Sequence, residues 1–318
     1  MCGISAHGHL NPCSGQQVAK TLETFVVEGE PRPHNSLEPP PVPDHPSRSM
    51  SSAASTRTQV TRLLLQLAIA GGLLTLLVFG QSVQAPAPGQ RRPVLVELFT
   101  SEGCSDCPPA DALLARLDAT QFVPGADAIV LSEHVTYWNH EGWNDPFSMP
   151  AMDERQQDYG RRFRLQGSYT PQVVVDGAFQ AVGNSTAAVA QAVAQATEAP
   201  KEPLAIENAH WADGAAEFTV RGATGGAAAL MVALAANETR SEVAGGENAG
   251  RTLHHVAVVR VLKDFGAGAT DGRTLRLSSR SLARGDEAAG SVRLVAFLVD
   301  RKTGQVLAVA EQTLDRAP

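Results

Sequence analysis

Two cysteines two residues apart, followed at once by two prolines, constrain this chain more than any other stretch: Ser101 to Asp111 reads SEGCSDCPPAD. Just upstream, RPVLVELFT (92–100) is a continuous apolar and β-branched run, the pattern of a strand buried on both faces. Just downstream, Ala110, Leu113, Leu114 and Leu117 fall at helical spacing. Pro108 and Pro109 suit the first turn of such a helix, where the missing N–H groups would have no intrahelical acceptor. Cys104 and Cys107 therefore stand where a strand hands over to a helix N-terminus. Free N–H groups and the helix dipole favour an anion there, and the thiolate is the reactive form of cysteine. Glu102 and Asp106 place negative charge beside the sulfur and oppose that effect. The expected result is a thiol acidified less than the dipole alone would give.

The remaining cysteines, Cys2 and Cys13, lie far upstream. Between them and the pair runs TRLLLQLAIAGGLLTLLVFGQSVQA: a basic start at Arg57 and Arg62, an apolar run from Leu63 to Gly80, and the small-residue exit Val83-Gln84-Ala85. Those are the three parts of a secretory signal peptide. Residues 50–85 are read as that peptide, beginning at Met50 and cleaved after Ala85; a retained membrane anchor is the competing reading. Residues 1–49, rich in Pro, Ser and charge, have no periodicity that could build a core and read as a disordered or mis-assigned extension. The exported part then holds two cysteines, in a compartment where disulfides persist. Their closed form is either Cys104–Cys107 or intermolecular. The whole chain carries a formal net charge of −7. Equal numbers of acidic and basic residues precede Pro86, so the exported part keeps that acidic balance and offers no basic footprint for nucleic acid.

Further along, ADAIVLSEHV (126–135) reads as a second buried strand, PAMDERQQDYGRRFRL (150–165) as a helix, PQVVVDG (171–177) with AFQAVG (178–183) as a hairpin, and STAAVAQAVAQATEA (185–199) as a helix capped by Asn184 or Ser185. Strand, helix, strand, helix, hairpin, helix is the element order of the thioredoxin fold, which keeps its C-x-x-C at the end of the first strand. In that topology the cysteines, the loop EHVTYWNHEGWNDPF and the segment YTPQ share one sheet edge. Thr170-Pro171 stands where thioredoxin-like proteins place a cis-proline opposite the cysteines. Tyr137 and Trp138 are candidates to line a substrate groove, and also candidates for packing. His134 can serve as base, metal ligand or hydrogen-bonded structural group.

ELFTSEGCSDCPPAD, HVTYWNHEGWNDPFS, Arg155-Gln156, YTPQVVVDG and GENAGRTLHHVAVVR together resemble a family of secreted bacterial thioredoxin-like proteins grouped as a domain of unknown function. The resemblance runs from about Val94 to about Leu314. It implies a thioredoxin-related site and export, but no particular reaction. Where members of that family show His-Val-Asp-Tyr-Trp-Asp, this chain has Thr136 and Asn139.

From Lys201 to Pro318 the text changes to short β-type runs separated by Gly-rich turns, with DRKTG (300–304) as a hairpin turn. The expected fold class is thus an α/β thioredoxin-like domain over 86–200 followed by a small all-β sandwich-like domain over 201–318. Adjacent His254 and His255 point to opposite faces of a strand, which argues against joint metal ligation.

Two function classes follow. One is an exported thiol-disulfide oxidoreductase in which Cys104, the more exposed sulfur, exchanges with thiols or disulfides of exported proteins, Cys107 resolves, and Thr170 with Pro171 orients the substrate chain. The other is a non-catalytic binding module for a soft metal or a peptide. Neither a cofactor nor a resident metal is called for by the residue pattern, and no membrane span remains after cleavage. N-terminal sequencing of the exported protein should begin at Pro86; recovery only in membranes with Leu63 to Phe79 intact would overturn that reading.

Overall fold

The run expected to be buried on both faces forms strand β1 (Arg92–Thr100) of a computed structural model that describes residues 91–222, 228–278 and 290–315. All of these belong to the unit Val83–Pro318, and the expectations for 1–49 and 50–85 lie outside the described residues. After β1 come α1 (Pro108–Thr120), β2 (Ala126–His134), α2 (Pro150–Phe163), β3 (Gln172–Val175), β4 (Phe179–Val182) and α3 (Thr186–Ala196). Prolines open α1 and α2, and the Ser185 side chain caps α3 by accepting from the Ala188 N–H. β1 pairs in parallel with β2 and antiparallel with β3, which pairs with β4. Its alternate residues serve two cores. Val94, Val96 and Leu98 meet Leu113, Leu114 and Leu117 of α1 and Val189 and Val193 of α3. Leu95 and Phe99 face the other way, into a core completed by Met152 and Tyr159 of α2.

The strands that follow do not form a separate domain. They are β5 (Leu204–Ala212), β6 (Ala215–Gly222), β7 (Ala228–Glu242), β8 (Thr252–Gly266), β9 (Asp271–Ser278), β10 (Val292–Asp300) and β11 (Val306–Leu314). β8 pairs in parallel with β2 at Ser132↔Val258, giving one mixed sheet of eight strands in the order β11-β10-β7-β8-β2-β1-β3-β4. The expected fold class, an α/β thioredoxin-like domain followed by a small β-sandwich, is therefore overturned. The physical reason lies in the edge of β2: a buried strand cannot leave a row of backbone donors and acceptors unpaired, and β8 covers it. Among the described residues only β5, β6 and β9 stand apart, as a three-stranded sheet. It packs Phe218, Val220, Leu275 and Leu277 on Leu230, Leu234, Leu294 and Leu298 of the large sheet.

The large sheet coils until its far end returns to β1. Val306 N donates to Asp176 O at 2.8 Å, and Glu202 N to Leu307 O at 2.9 Å. Lys201 Nζ lies 2.6 Å from Asp176 Oδ2 and 2.9 Å from Val306 O. Enclosed by this curl, Leu95, Phe99 and Leu131 pack with Ala233, Val259, Phe297 and Val309. Two buried carboxylates share the space. Glu97 accepts from Arg155 Nε at 2.6 Å and from Tyr159 OH at 2.6 Å, and the Arg155 guanidinium stands over the rings of Tyr159 and Phe297. Burial, reinforced by Glu97, pushes the Glu133 carboxyl well above its ordinary range.

Where the coil closes, Gly177 has φ +62°, and a Cβ there would come 2.1 Å from the Gly304 carbonyl oxygen in the β10–β11 turn. Replacement of Gly177 by Ala combines left-handed backbone strain with a backbone clash and should cost about 2–3 kcal/mol. Urea unfolding of the two proteins checks it; unchanged stability would mean that the turns do not need this close approach.

Candidate functional site

The C-x-x-C pair is closed within the chain: Cys104 and Cys107 form a disulfide with Cα atoms 5.4 Å apart. A turn prepares it, with Cys104 N donating to Ser101 O and Cys107 N to Cys104 O, both at 3.2 Å. Cys107 is the N-cap residue of α1, so the bridge stands at the helix terminus that the sequence indicates. The expected exposure of Cys104 is not found. Cys104 is 1% exposed and Cys107 0%.

The loop that holds the pair is met by a segment from far along the chain. β7 and β8 extend past their neighbours: β10 accompanies β7 only as far as Ala236, and β2 meets β8 at Val258. The projecting hairpin arm bears Ser241 and His255, and its tip, Val243–Arg251, lies on the cysteine loop. Asn248, itself buried, donates from Nδ2 to Glu102 O at 2.8 Å and to Cys104 O at 2.9 Å. Glu247 accepts the Ser105 N–H at 3.0 Å.

Beneath the loop lies a cluster of buried charges. Glu102 is fully buried; its Oε2 accepts from Trp143 Nε1 at 2.8 Å and Ser241 Oγ at 3.1 Å, and its Oε1 is 3.2 Å from His255 Nε2. His255 Nδ1 is 3.6 Å from Asp111 Oδ2, an ion-pair distance too long for a hydrogen bond. Asp111 lies one helical turn after Cys107 and accepts from Thr100 Oγ1 at 2.9 Å. Burial works against a charged His255, but Asp111 and Glu102 outweigh it and push its pKa up to about 10, so the ring is an imidazolium at neutral pH. Edge-on to it, with centroids 4.7 Å apart, stands His134, whose Nδ1 is 2.7 Å from Asp145 Oδ2. The same Asp145 oxygen accepts the Glu102 N–H at 2.9 Å. Burial tends to raise the Asp145 pKa, yet His134 and the amides of Glu102 and Phe147 hold it below its ordinary value.

The other residues singled out from the sequence are spread around this centre. Asp106 is exposed, whereas the Glu102 carboxylate is turned into the interior, so Glu102 is matched by a cation and only Asp106 presents an open charge. Trp138 donates from Nε1 to Thr170 Oγ1 at 2.8 Å, and a Cβ at Gly103 would lie 3.1 Å from its own Cβ. It thus links the cysteine loop to Thr170-Pro171, whose peptide bond is cis. Tyr137 is half-buried, donates to Gln156 Oε1 at 3.1 Å, and burial pushes its pKa up to about 12. Thr136 binds Asp153 through backbone and hydroxyl, while Asn139 donates to Ser148 Oγ and accepts from the Asp145 N–H at 3.1 Å. A surface pocket of about 470 Å³, lined in part by Trp143, Phe147, Arg240 and Ser241, opens beside the Glu102 partners.

Sequence reading missed Asp111, Asp145, Ser241, Asn248 and His255. The signal for His255 was available: of the adjacent His254 and His255, one had to face inward. Its partners were not, because they depend on the β2–β8 pairing.

The fold and site define a mixed-sheet protein with a buried C-x-x-C disulfide at a strand-to-helix junction. The chain belongs to the family described as protein of unknown function (DUF1223), which matches residues 95–298. Protein AGR_C_4864 from Agrobacterium tumefaciens, a crystal structure, is similar with 24% identity and a TM-score of 0.54, over 72% of this chain and 97% of that one. At that identity the likeness speaks to the fold. No curated protein matches the chain.

The raised pKa of His255 has a stability consequence with a definite sign. Its contribution is fully present below the ordinary histidine value of 6.5 and is lost as pH rises through about 10. His255→Gln, which leaves two buried carboxylates without their cation, should lose about 3 kcal/mol at pH 6. The deficit relative to the parent should shrink between pH 6.5 and 10. Urea midpoints across that range measure it; a deficit independent of pH would mean that His255 is not charged in the folded protein.

Proposed function

We propose that this protein is an exported thiol-disulfide exchange protein acting through Cys104 and Cys107. The observation that carries the reading is the closed disulfide at the N-terminus of α1, linked through Trp138 to Thr170 and the cis-peptide Pro171. That arrangement supports a relation between this site and the site of the thioredoxin superfamily. Export rests on the basic, apolar and small-residue order of 50–85.

In the exchange, a thiolate of an exported protein attacks Cys104 Sγ, the Cys104–Cys107 bond breaks, and Cys107 leaves as a thiolate. A second substrate thiolate then attacks the mixed disulfide and releases Cys104. Two electrons pass to the chain, the substrate closes its own disulfide, and the two cysteines take up two protons. Run backwards, the same steps reduce a substrate disulfide. The buried cluster sets three carboxylates, Glu102, Asp111 and Asp145, against the His255 imidazolium and the His134 ring, and Asp106 and Glu247 add exposed charge. This balance disfavours thiolates, which supports reduction or isomerisation over disulfide donation.

Burial of both cysteines favours a second reading, an inert bridge that pins the loop. Among the described residues no group of three or more His, Cys, Asp or Glu is placed to hold a metal ion, and the soft-metal module is not carried further.

Equilibrating the full chain in thiol redox buffers, with mass spectrometry of the Cys104–Cys107 peptide, separates the readings. Exchange chemistry predicts a potential above about −300 mV, and an inert bridge one well below it. Asp106→Asn should move the potential to less negative values by roughly 10–20 mV, the small size reflecting solvent screening of an exposed carboxylate. A shift in the opposite direction would remove the electrostatic argument for a reducing role.

A further inference from the structure

One segment is attached in a distinctive way to the loop that carries the buried disulfide: Asn248 and Glu247 bind its backbone. We infer that the tip of the β7–β8 arm, Val243–Arg251, is a lid over Cys104–Cys107, latched by Asn248, and that it gives way to an extended polypeptide bearing the reacting thiol. The inference rests on the thiol-exchange reading of the site.

A thiolate has to reach a sulfur from outside. With Cys104 1% and Cys107 0% exposed, something must move first. The tip is the segment built to do so. It is held together internally: Val243 N donates to Arg251 O at 2.9 Å, Gly250 N to Val243 O at 2.7 Å, and Arg251 to Asn248 Oδ1 at 2.8 Å. It is anchored outwardly by little. Val243 is its one buried apolar side chain, while Ala244, Glu247, Ala249, Gly250 and Arg251 are exposed, so few apolar contacts oppose lifting. The tip starts beyond the last strand neighbours of β7 and β8, at Ala236 and Val258, so no sheet hydrogen bond has to break.

What the tip satisfies identifies what replaces it. Asn248 caps the carbonyls of Glu102 and Cys104, and Glu247 takes the N–H of Ser105. Lifting the tip leaves two acceptors and one donor on four consecutive residues around the attacked sulfur. An extended peptide backbone supplies the matching donors and acceptor, as in strand addition. A small dithiol supplies none, and so meets the sulfur only when the lid opens unaided. Gly245 seats the tip on its other side: a Cβ there would come 2.3 Å from the Gly142 carbonyl oxygen.

Reduction of the oxidised full chain by dithiothreitol, followed by mass spectrometry of the Cys104–Cys107 peptide, tests the lid. Asn248→Ala removes two buried hydrogen bonds and should speed reduction about tenfold or more. Gly245→Ala should act in the same direction. Glu247→Ala, at an exposed position, should speed reduction by a smaller factor with an unchanged urea midpoint, so that acceleration is not mistaken for unfolding. Equal rates in the parent and all three variants would overturn the lid. An unfolded polypeptide that carries its own disulfide should be captured by the Cys107→Ser variant: the Cys104 thiolate attacks one sulfur of that disulfide, the polypeptide's other cysteine leaves as a thiolate, and the mixed disulfide persists because no Cys107 thiol resolves it. If the latch variants accelerate dithiothreitol but this polypeptide is not captured by Cys107→Ser, alone or combined with any of them, the lid stands and the exchange reading falls.

Discussion

A carboxylate held away from water needs donors from the protein itself, and Glu102 obtains its donors from three distant places. Trp143 comes from the loop after β2, Ser241 from the end of β7, and His255 from β8. Bringing these to one oxygen pair requires β8 to stand beside β2 and β7 beside β8, and the hairpin that joins them must then pass over the cysteine loop. Burial of the disulfide is in this sense a consequence of burying Glu102. Asn248 and Glu247 complete the cover, but the arm is already directed there by the ion pair beneath it.

The charges under the loop form a closed circuit. The Glu102 amide donates to Asp145, Asp145 holds His134, the His134 ring packs edge-on against His255, and His255 returns to the Glu102 carboxylate while facing Asp111. Phe147 packs edge-on against both imidazole rings and limits water around them. In such surroundings each partner is costly to remove, since the charge it leaves behind has no solvent to turn to. The cluster thereby fixes the loop in which the disulfide forms and sets the field that its sulfurs experience.

Sequence reading captured what is local. The strand before the cysteines, the helix after them, the Ser185 cap and the turn at Asp300–Gly304 are all present, because periodicity, proline placement and turn residues act over a few positions. It failed where partners are far apart. The β-type runs after Lys201 were strands, but their alternation states only which face is apolar, and it cannot say whether an edge is covered by a neighbour or by β2. The parallel contact at Ser132↔Val258 makes β7, β8, β10 and β11 of the expected second domain half of one sheet with the first. The same contact explains the incomplete site. Cys104, Cys107, Thr170, Pro171 and Trp138 lie in segments whose order suggested one edge, whereas Asn248 and His255 reach it only through the arm. In sequence Glu102 is only a charge beside a sulfur, because acidity is visible there and burial is not.

The end of β2 shows why this sheet admits only one register. Glu133 and His134 are consecutive, so they face opposite sides. Glu133 enters the enclosed core near Glu97 and Arg155, while His134, paired with Thr100, stands on the side of Asp145, His255 and α1. A slip of one residue would exchange them. His134 would then enter the space beside Arg155, and the Glu133 carboxyl would approach Asp145 and Glu102, like charges without water between them. Apolar neighbours such as Leu131 and Ile129 would tolerate the shift far better than these two residues. The polar pair at the strand end, more than the apolar run before it, excludes the neighbouring register, and with it any arrangement in which the cysteine loop and the arm fail to meet.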